Sequence, residues 1–406
     1  MFFIVATKGA AASVPGDLTL REALARVEAR HPSLAAAGSA ERLAKARTAQ
    51  AQASPGTEVS LQLENALGTG EHRAARSLET TLQIGRILET PDRRSVREAT
   101  AGALNDVERL AREQRHRELL GKASVLFIQV AAAQESLAVA REAAEQSDAS
   151  HRAVLGLAEA GVALPADVSR SRLLLAESRL EAEHAEHQLL VARQALSSMW
   201  SADVPDFGRA RADLSELPPV ETFAQLSAKL SSTPVQLRFA AEERWRAAQE
   251  RLERRNASRG DLRWTAGVRR FEAADDVAAV FGLSYAIPSP GLSSARSAEA
   301  QAERELAAAS GAAALNTARS TLYALHQNLA HARIAHLTAV DQLIPAAQAW
   351  CDAVSAGMRT GRYNARDLGE ARAALLEGRR RAISASAQYH ATLVEIEQML
   401  AAAASP

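Results

Sequence analysis

Glu58-Val59-Ser60-Leu61-Gln62-Leu63-Glu64 is the stretch that decides how the chain is read. Val59, Leu61 and Leu63 alternate with Glu58, Ser60, Gln62 and Glu64, and a period of two belongs to a strand, not a helix. After the glycine-containing segment 67–75, Leu78, Leu82 and Ile84 alternate with Glu79, Thr81 and Gln83. Far downstream, Leu262, Trp264, Ala266 and Val268 alternate with Arg263, Thr265, Gly267 and Arg269. Val277, Ala279, Phe281, Leu283, Tyr285 and Ile287 then line one face of a last strand. This is the pattern of tilted membrane-crossing strands, and also of amphipathic hairpins on a soluble core. The charges on the polar faces and the lack of a compact remainder favour the first. Four strands cannot close a barrel, and lipid tolerates no open sheet edge. Two copies would supply eight strands and three would supply twelve.

Everything around the strands reads as long helix. No proline occurs between Pro91 and Pro165 or between Pro290 and Pro345, and both windows are rich in Ala, Leu, Arg and Glu. A helix of about 60 residues would run roughly 90 Å, the scale of a coiled coil. Leu120, Val125, Phe127, Val130 and Leu137 recur at helical spacing with charges between them.

Composition removes several function classes. The 406 residues carry 48 Lys+Arg against 48 Asp+Glu, which argues against a nucleic-acid partner. The single cysteine, Cys351, excludes a disulfide framework and any four-cysteine metal cluster, and it reads as a small buried apolar group. Aromatics at 4% are thin for a compact enzyme core. No run approaches eighteen apolar residues, so no transmembrane helix is expected. Residues 1–16 read as a degenerate export signal or a disordered start, because Met1 to Thr7 is apolar but has no preceding positive residue.

The chain also repeats itself. With an offset of 200, segment 153–199 matches 353–399 at Gly161/Gly361, Asp167/Asp367, Arg172/Arg372, Glu177/Glu377 and Arg179/Arg379, among others. His31-Pro32-Ser33-Leu34 has a counterpart in Thr233-Pro234-Val235-Gln236-Leu237. The expected organisation is a first repeat over 17–200 with a hairpin at about 57–86, a linker at 201–220, a second repeat over 221–402 with a hairpin at about 261–288, and a tail at 403–406.

Two amphipathic hairpins among long helices in a tandem repeat resemble the TolC family of outer-membrane efflux channels. The resemblance rests on Leu18-Thr19-Leu20-Arg21-Glu22-Ala23-Leu24 with His31-Pro32-Ser33-Leu34, on Leu343-Ile344-Pro345-Ala346-Ala347, on Gly361 through Asp367-Leu368, and on Gln388-Tyr389. Ala266-Gly267-Val268-Arg269-Arg270-Phe271-Glu272 is similar to the third strand of the heavy-metal (CzcC-like) branch. The chain departs from the family pattern at 85–93 and 290–294. The resemblance implies a mainly α fold with a small β part, in which a long coiled-coil helical barrel continues a 12-stranded β-barrel shared by a homotrimer. It implies residence in the outer membrane with the helices in the periplasm. It also implies a passive exit duct, for metal cations or small toxic compounds, served by a periplasmic adaptor and an inner-membrane pump of the resistance–nodulation–division type. No enzymatic activity and no cofactor are expected.

Site candidates follow from both sources. Leu61, Leu82, Trp264 and Phe281 should face lipid. Gly161 and Gly361 fit chain reversal between helices, followed by Pro165 at a first helical position and Asn364 at an N-cap. The resemblance places these turns against the adaptor. Asp367 and Glu370 share a helix face, and the resemblance makes them aperture acids. The plainer reading of Asp367 is an acid in a first helical turn, as Asp167 also is, whereas Glu370 is matched by Arg170. His184 and His187 lie three apart but read as a solvated face, so no metal site is expected. The alternative to a channel is a soluble periplasmic or cytoplasmic coiled-coil scaffold whose hairpins are packing elements.

Overall fold

The computed structural model describes residues 16–219, 221–258, 260–358 and 360–400, so all but residue 16 of the expected start segment 1–16, and the whole of the expected tail 403–406, lie outside the described residues. A two-residue strand β1 (Leu18–Thr19) leads into α1 (Leu20–Arg30), α2 (Pro32–Ala35) and α3 (Ala37–Gln52). The hairpin β2 (Thr57–Glu64) and β3 (Glu79–Leu88) follows, then α4 (Pro91–Glu159) and α5 (Pro165–Ser198). After β4 (Ala210–Arg211) come α6 (Phe223–Ala228), α7 (Pro234–Ser258) and the second hairpin, β5 (Leu262–Phe271) and β6 (Asp276–Tyr285). The chain closes with α8 (Pro290–Thr338), a π-helical segment Ala339–Leu343, α9 (Ile344–Met358) and α10 (Ala365–Leu400). The fold is mainly helical with a small sheet.

Proline placement explains the helix starts. Pro91, Pro165, Pro234 and Pro290 each open a helix, where the missing N–H is one the helix could not use. Thr19 caps α1 through a capping box with Glu22, which also holds the Glu22 carboxyl below its ordinary range. Pro345 lies inside a helical stretch, two residues after the end of the π segment. A wider turn there is how a helix accommodates a residue that donates no hydrogen bond.

Two compact units form. One comprises 16–37, 114–233 and 317–400; the other comprises Gly38–Glu113 and Pro234–Asn316. The first has a core of Leu18, Val27, Phe127, Val130, Leu196, Trp200, Phe207 and Leu214. Segment 201–220, read as a linker, thus contributes Phe207 and Leu214 to that core, and its β4 pairs in parallel with β1. Trp200 Nε1 donates to Asp206 Oδ1 at 3.0 Å, and Arg26 Nη1 reaches the same oxygen at 3.1 Å. Tyr389 is fully buried and its hydroxyl donates to Pro218 O. One stretch of α4 is long and apolar enough to cross a membrane. Its Phe127, Ile128, Val130 and Ala131 are instead buried in this core, which is where that apolarity is used. Cys351 is also buried, and burial pushes its thiol pKa up.

In the second unit the four long strands form one antiparallel sheet in the order β2-β3-β5-β6. The two hairpins expected from alternation are both present. They join through β3 and β5, with Leu82 opposite Val268 and Ile84 opposite Ala266.

Candidate functional site

The register sorts the sheet into two faces. Directly paired residues share a face, so Val59, Leu61 and Leu63 join Leu82 and Ile84, then Trp264, Ala266 and Val268, then Ala279, Phe281 and Leu283. All four residues expected to face lipid lie on this face. Leu61 is 63% exposed, Leu82 55% and Phe281 81%, while Trp264 is half-buried. Large apolar side chains left open in this number exceed what a water-facing sheet carries. The sheet has no second layer of strands among the described residues, and β2 and β6 are unpaired edges.

The opposite face is charged and internally matched. Arg269 donates from Nε to Thr81 Oγ1 and from Nη1 to Glu79 Oε2, each at 2.9 Å. Its Nη2 lies 3.1 Å from Glu64 Oε2, an ion pair without hydrogen-bond alignment. Arg263 pairs with Glu58 on the same face. Alternation had assigned Arg263, Arg269, Glu58, Glu64 and Glu79 to the polar side; which carboxylates meet which arginines is set by register, and sequence reasoning missed it.

In the first unit, the two turns with candidate glycines have the same backbone. Gly161 has φ +73° and Gly361 φ +71°, the left-handed region that favours glycine. Val162 N donates to Leu157 O at 2.8 Å, and Arg362 N donates to Gly357 O at 3.0 Å, so both helices end in a Schellman-type closure. Tyr363 lies over Gly357 in the second turn. Pro165 opens α5, and Asn364 caps α10 by accepting from Arg366 N at 2.8 Å and Asp367 N at 3.2 Å.

Asp367 and Glu370 are both in the first turns of α10, and each is engaged locally. Asp367 Oδ2 accepts from Asn364 N at 2.9 Å, just as Asp167 Oδ2 accepts from Leu164 N at 3.1 Å. Glu370 Oε1 accepts from Arg366 Nε at 2.8 Å, an i,i+4 pair that raises the Arg366 pKa. Sequence reasoning overlooked this arginine, although the spacing was the available signal. Gly361 and the two acids therefore come together at one turn, Gly161 lies at the equivalent turn between α4 and α5, and Leu61, Leu82, Trp264 and Phe281 come together on the sheet. His184 and His187 are exposed, His184 Nε2 lying 2.8 Å from Gln188 Nε2, and no group of three metal-ligating side chains occurs among the described residues.

No family model matches the chain. Among curated proteins it is similar to the cobalt-zinc-cadmium resistance protein CzcC of Cupriavidus metallidurans, at 27% identity over 398 residues, covering 95% of this chain and 90% of that one. Among solved structures it superposes on the outer membrane protein VceC of Vibrio cholerae with a TM-score of 0.76 at 12% identity, covering 94% of this chain and 96% of that one. It superposes on CusC, a protein described as forming a transmembrane channel, with a TM-score of 0.76 at 14% identity, covering 98% and 96%.

Proposed function

From the premise that the chain is a CzcC homologue with the fold of TolC-family outer-membrane channels, we propose that it is the passive exit duct of an efflux system. The observation that carries this reading is the sheet: one face apolar and exposed, the other charged, with both edge strands unpaired. In lipid an open edge leaves rows of N–H and C=O groups without partners, at several kcal/mol each. Closure by identical sheets removes both edges, and three copies make a twelve-stranded barrel in the outer membrane. The apolar face then meets lipid and the face of Arg263 and Arg269 meets water. The same exposed face counts against the soluble scaffold, which would have to leave it in water.

The remaining assignments extend this reading. The homotrimer continues into a helical conduit in the periplasm, and an adaptor meets the turns at Gly161 and Gly361. An inner-membrane pump of the resistance–nodulation–division type drives transport, while this chain conducts without catalysis. Asp367 and Glu370 of three chains form acidic rings at the aperture, where fixed negative charge favours cations. Divalent metal cations are the proposed substrates, in keeping with the likeness to CzcC. Membrane fractionation with sizing of the detergent-extracted oligomer tests the reading. A trimer from the outer-membrane fraction is expected; a soluble monomer would end it.

A further inference from the structure

Four arginines lie in the four long strands: Arg86, Arg263, Arg269 and Arg270. Three have carboxylate partners: Arg263 pairs with Glu58, Arg269 with Glu64 and Glu79, and Arg270 with Glu272 and Asp275. Arg86 has none among the described residues. Its one recorded bond runs from Nε to Pro55 O at 3.2 Å. Arg86 is also on the wrong face. It is an even number of residues from Leu82, Ile84 and Leu88 and is paired with Trp264, so it belongs to the apolar side.

Position explains the anomaly. β3 runs into α4 and β5 starts after α7, so Arg86 and Trp264 lie at the helix end of the sheet. Tyr285 ends β6 on the same face and at the same end, its hydroxyl accepting from Gly260 N at 2.9 Å. The bond to Pro55, which precedes β2, draws the Arg86 side chain toward that end and away from the middle of the sheet. Arg270 holds the hairpin end of the same face, opposite Thr80. Six residues separate Arg86 from Thr80 along β3, roughly 20 Å at ~3.3 Å per residue. An arginine on a lipid face costs least at the interface, where tyrosine and tryptophan also concentrate and where a long side chain reaches the polar layer.

We propose that Arg86 binds the phosphate of a phospholipid in the leaflet on the helix side of the sheet, with Trp264 and Tyr285 as its interfacial neighbours. The inference rests on the outer-membrane reading and adds a ligand to it. A planar guanidinium offers two parallel N–H donors to a phosphate, and among the described residues no carboxylate pairs with it.

The test is native mass spectrometry of the full chain, extracted as its oligomer and titrated with palmitoyl-oleoyl phosphatidylglycerol. The wild type should retain this lipid, and Arg86→Gln should retain it about fivefold more weakly, the effect of one interfacial arginine. Arg86→Lys should fall between them, and Arg263→Gln, on the other face, should match the wild type. Equal retention by Arg86→Gln and the wild type, or an equal loss in Arg263→Gln, would overturn the site. Should Arg86→Gln not assemble, the wild type still decides: it must prefer phosphatidylglycerol to the diacylglycerol of the same chains, and equal binding overturns the proposal. Displacement of the lipid by inorganic phosphate at constant ionic strength would overturn the lipid assignment in favour of a free anion. Insertion of the wild type into phosphatidylglycerol vesicles is measured in parallel. A chain that stays out of the vesicles overturns the channel reading as well, whereas one that inserts but binds lipid independently of Arg86 loses only the phosphate site.

Discussion

Leu61 and Gln62 are neighbours in sequence yet stand on opposite faces of the sheet, whereas Gly161 and Gly361 are 200 residues apart and fix the same turn. The sheet carries its pattern in side-chain alternation, where a shift of one residue exchanges the apolar face for the charged one. The turns carry theirs in backbone dihedrals, where glycine supplies the geometry and the flanking residues differ between the two turns, Ala160 and Val162 against Thr360 and Arg362. A substitution should therefore act through chemistry in the sheet and through conformation at the turns.

The largest effect is expected in the sheet. Leu61→Arg places a charge on the lipid face at a cost of about 2–4 kcal/mol near mid-bilayer, and should deplete the membrane-assembled oligomer. Gln62→Arg adds the same charge to the face that already holds Arg263 and Arg269, and should assemble normally. Heat-resistant oligomer on gels reads both, and equal yields would break the distinction between the faces.

At the turns, a Cβ at position 361 meets no neighbouring atom, but Gly361→Val must hold φ near +71°, which costs about 1–2 kcal/mol for a residue with a side chain. The oligomer should still form, with a modestly lower thermal midpoint and impaired efflux. Gly361→Ala should show the same trend more weakly. Unchanged efflux in Gly361→Val would remove the turn from the mechanism.

A smaller effect on stability is expected from the acids beside that turn. In Asp367→Asn/Glu370→Gln the Asn364 cap survives, so the loss is the charge at the helix start, about 0.3–1 kcal/mol, together with the exposed Arg366–Glu370 pair. Conductance in planar bilayers should change more: cation selectivity and block by divalent cations should both weaken. Unaltered selectivity with lowered stability would reduce the acids to helix caps.

What the sequence disclosed follows the same division. All four long strands were legible, because a period of two survives in any context with one buried or lipid-facing side. Arg86 was not, since a charge on the apolar face breaks the alternation and the reading of β3 stopped at Ile84. Gly161 and Gly361 were legible as turn residues, and their positive φ is what glycine supplies. The β1–β4 pair escaped notice because two residues carry no period, and their pairing depends on the core around Phe207 and Trp200. The π segment before Pro345 was equally hidden, since proline marks a defect in helix bonding without saying how the chain absorbs it. Asp367 was visible as an acid in a first turn, but its bond to Asn364 N had to be seen in three dimensions.

The central claim is that one face of the sheet lies in lipid and the other in water. Spin labels placed singly at residues 58–64, in a Cys351→Ser background and in phospholipid bilayers, measure it directly through collision with oxygen and with a water-soluble nickel chelate. Val59, Leu61 and Leu63 should be open to oxygen and closed to nickel, and Glu58, Ser60, Gln62 and Glu64 should show the reverse. Equal access of nickel to all seven positions would contradict the account.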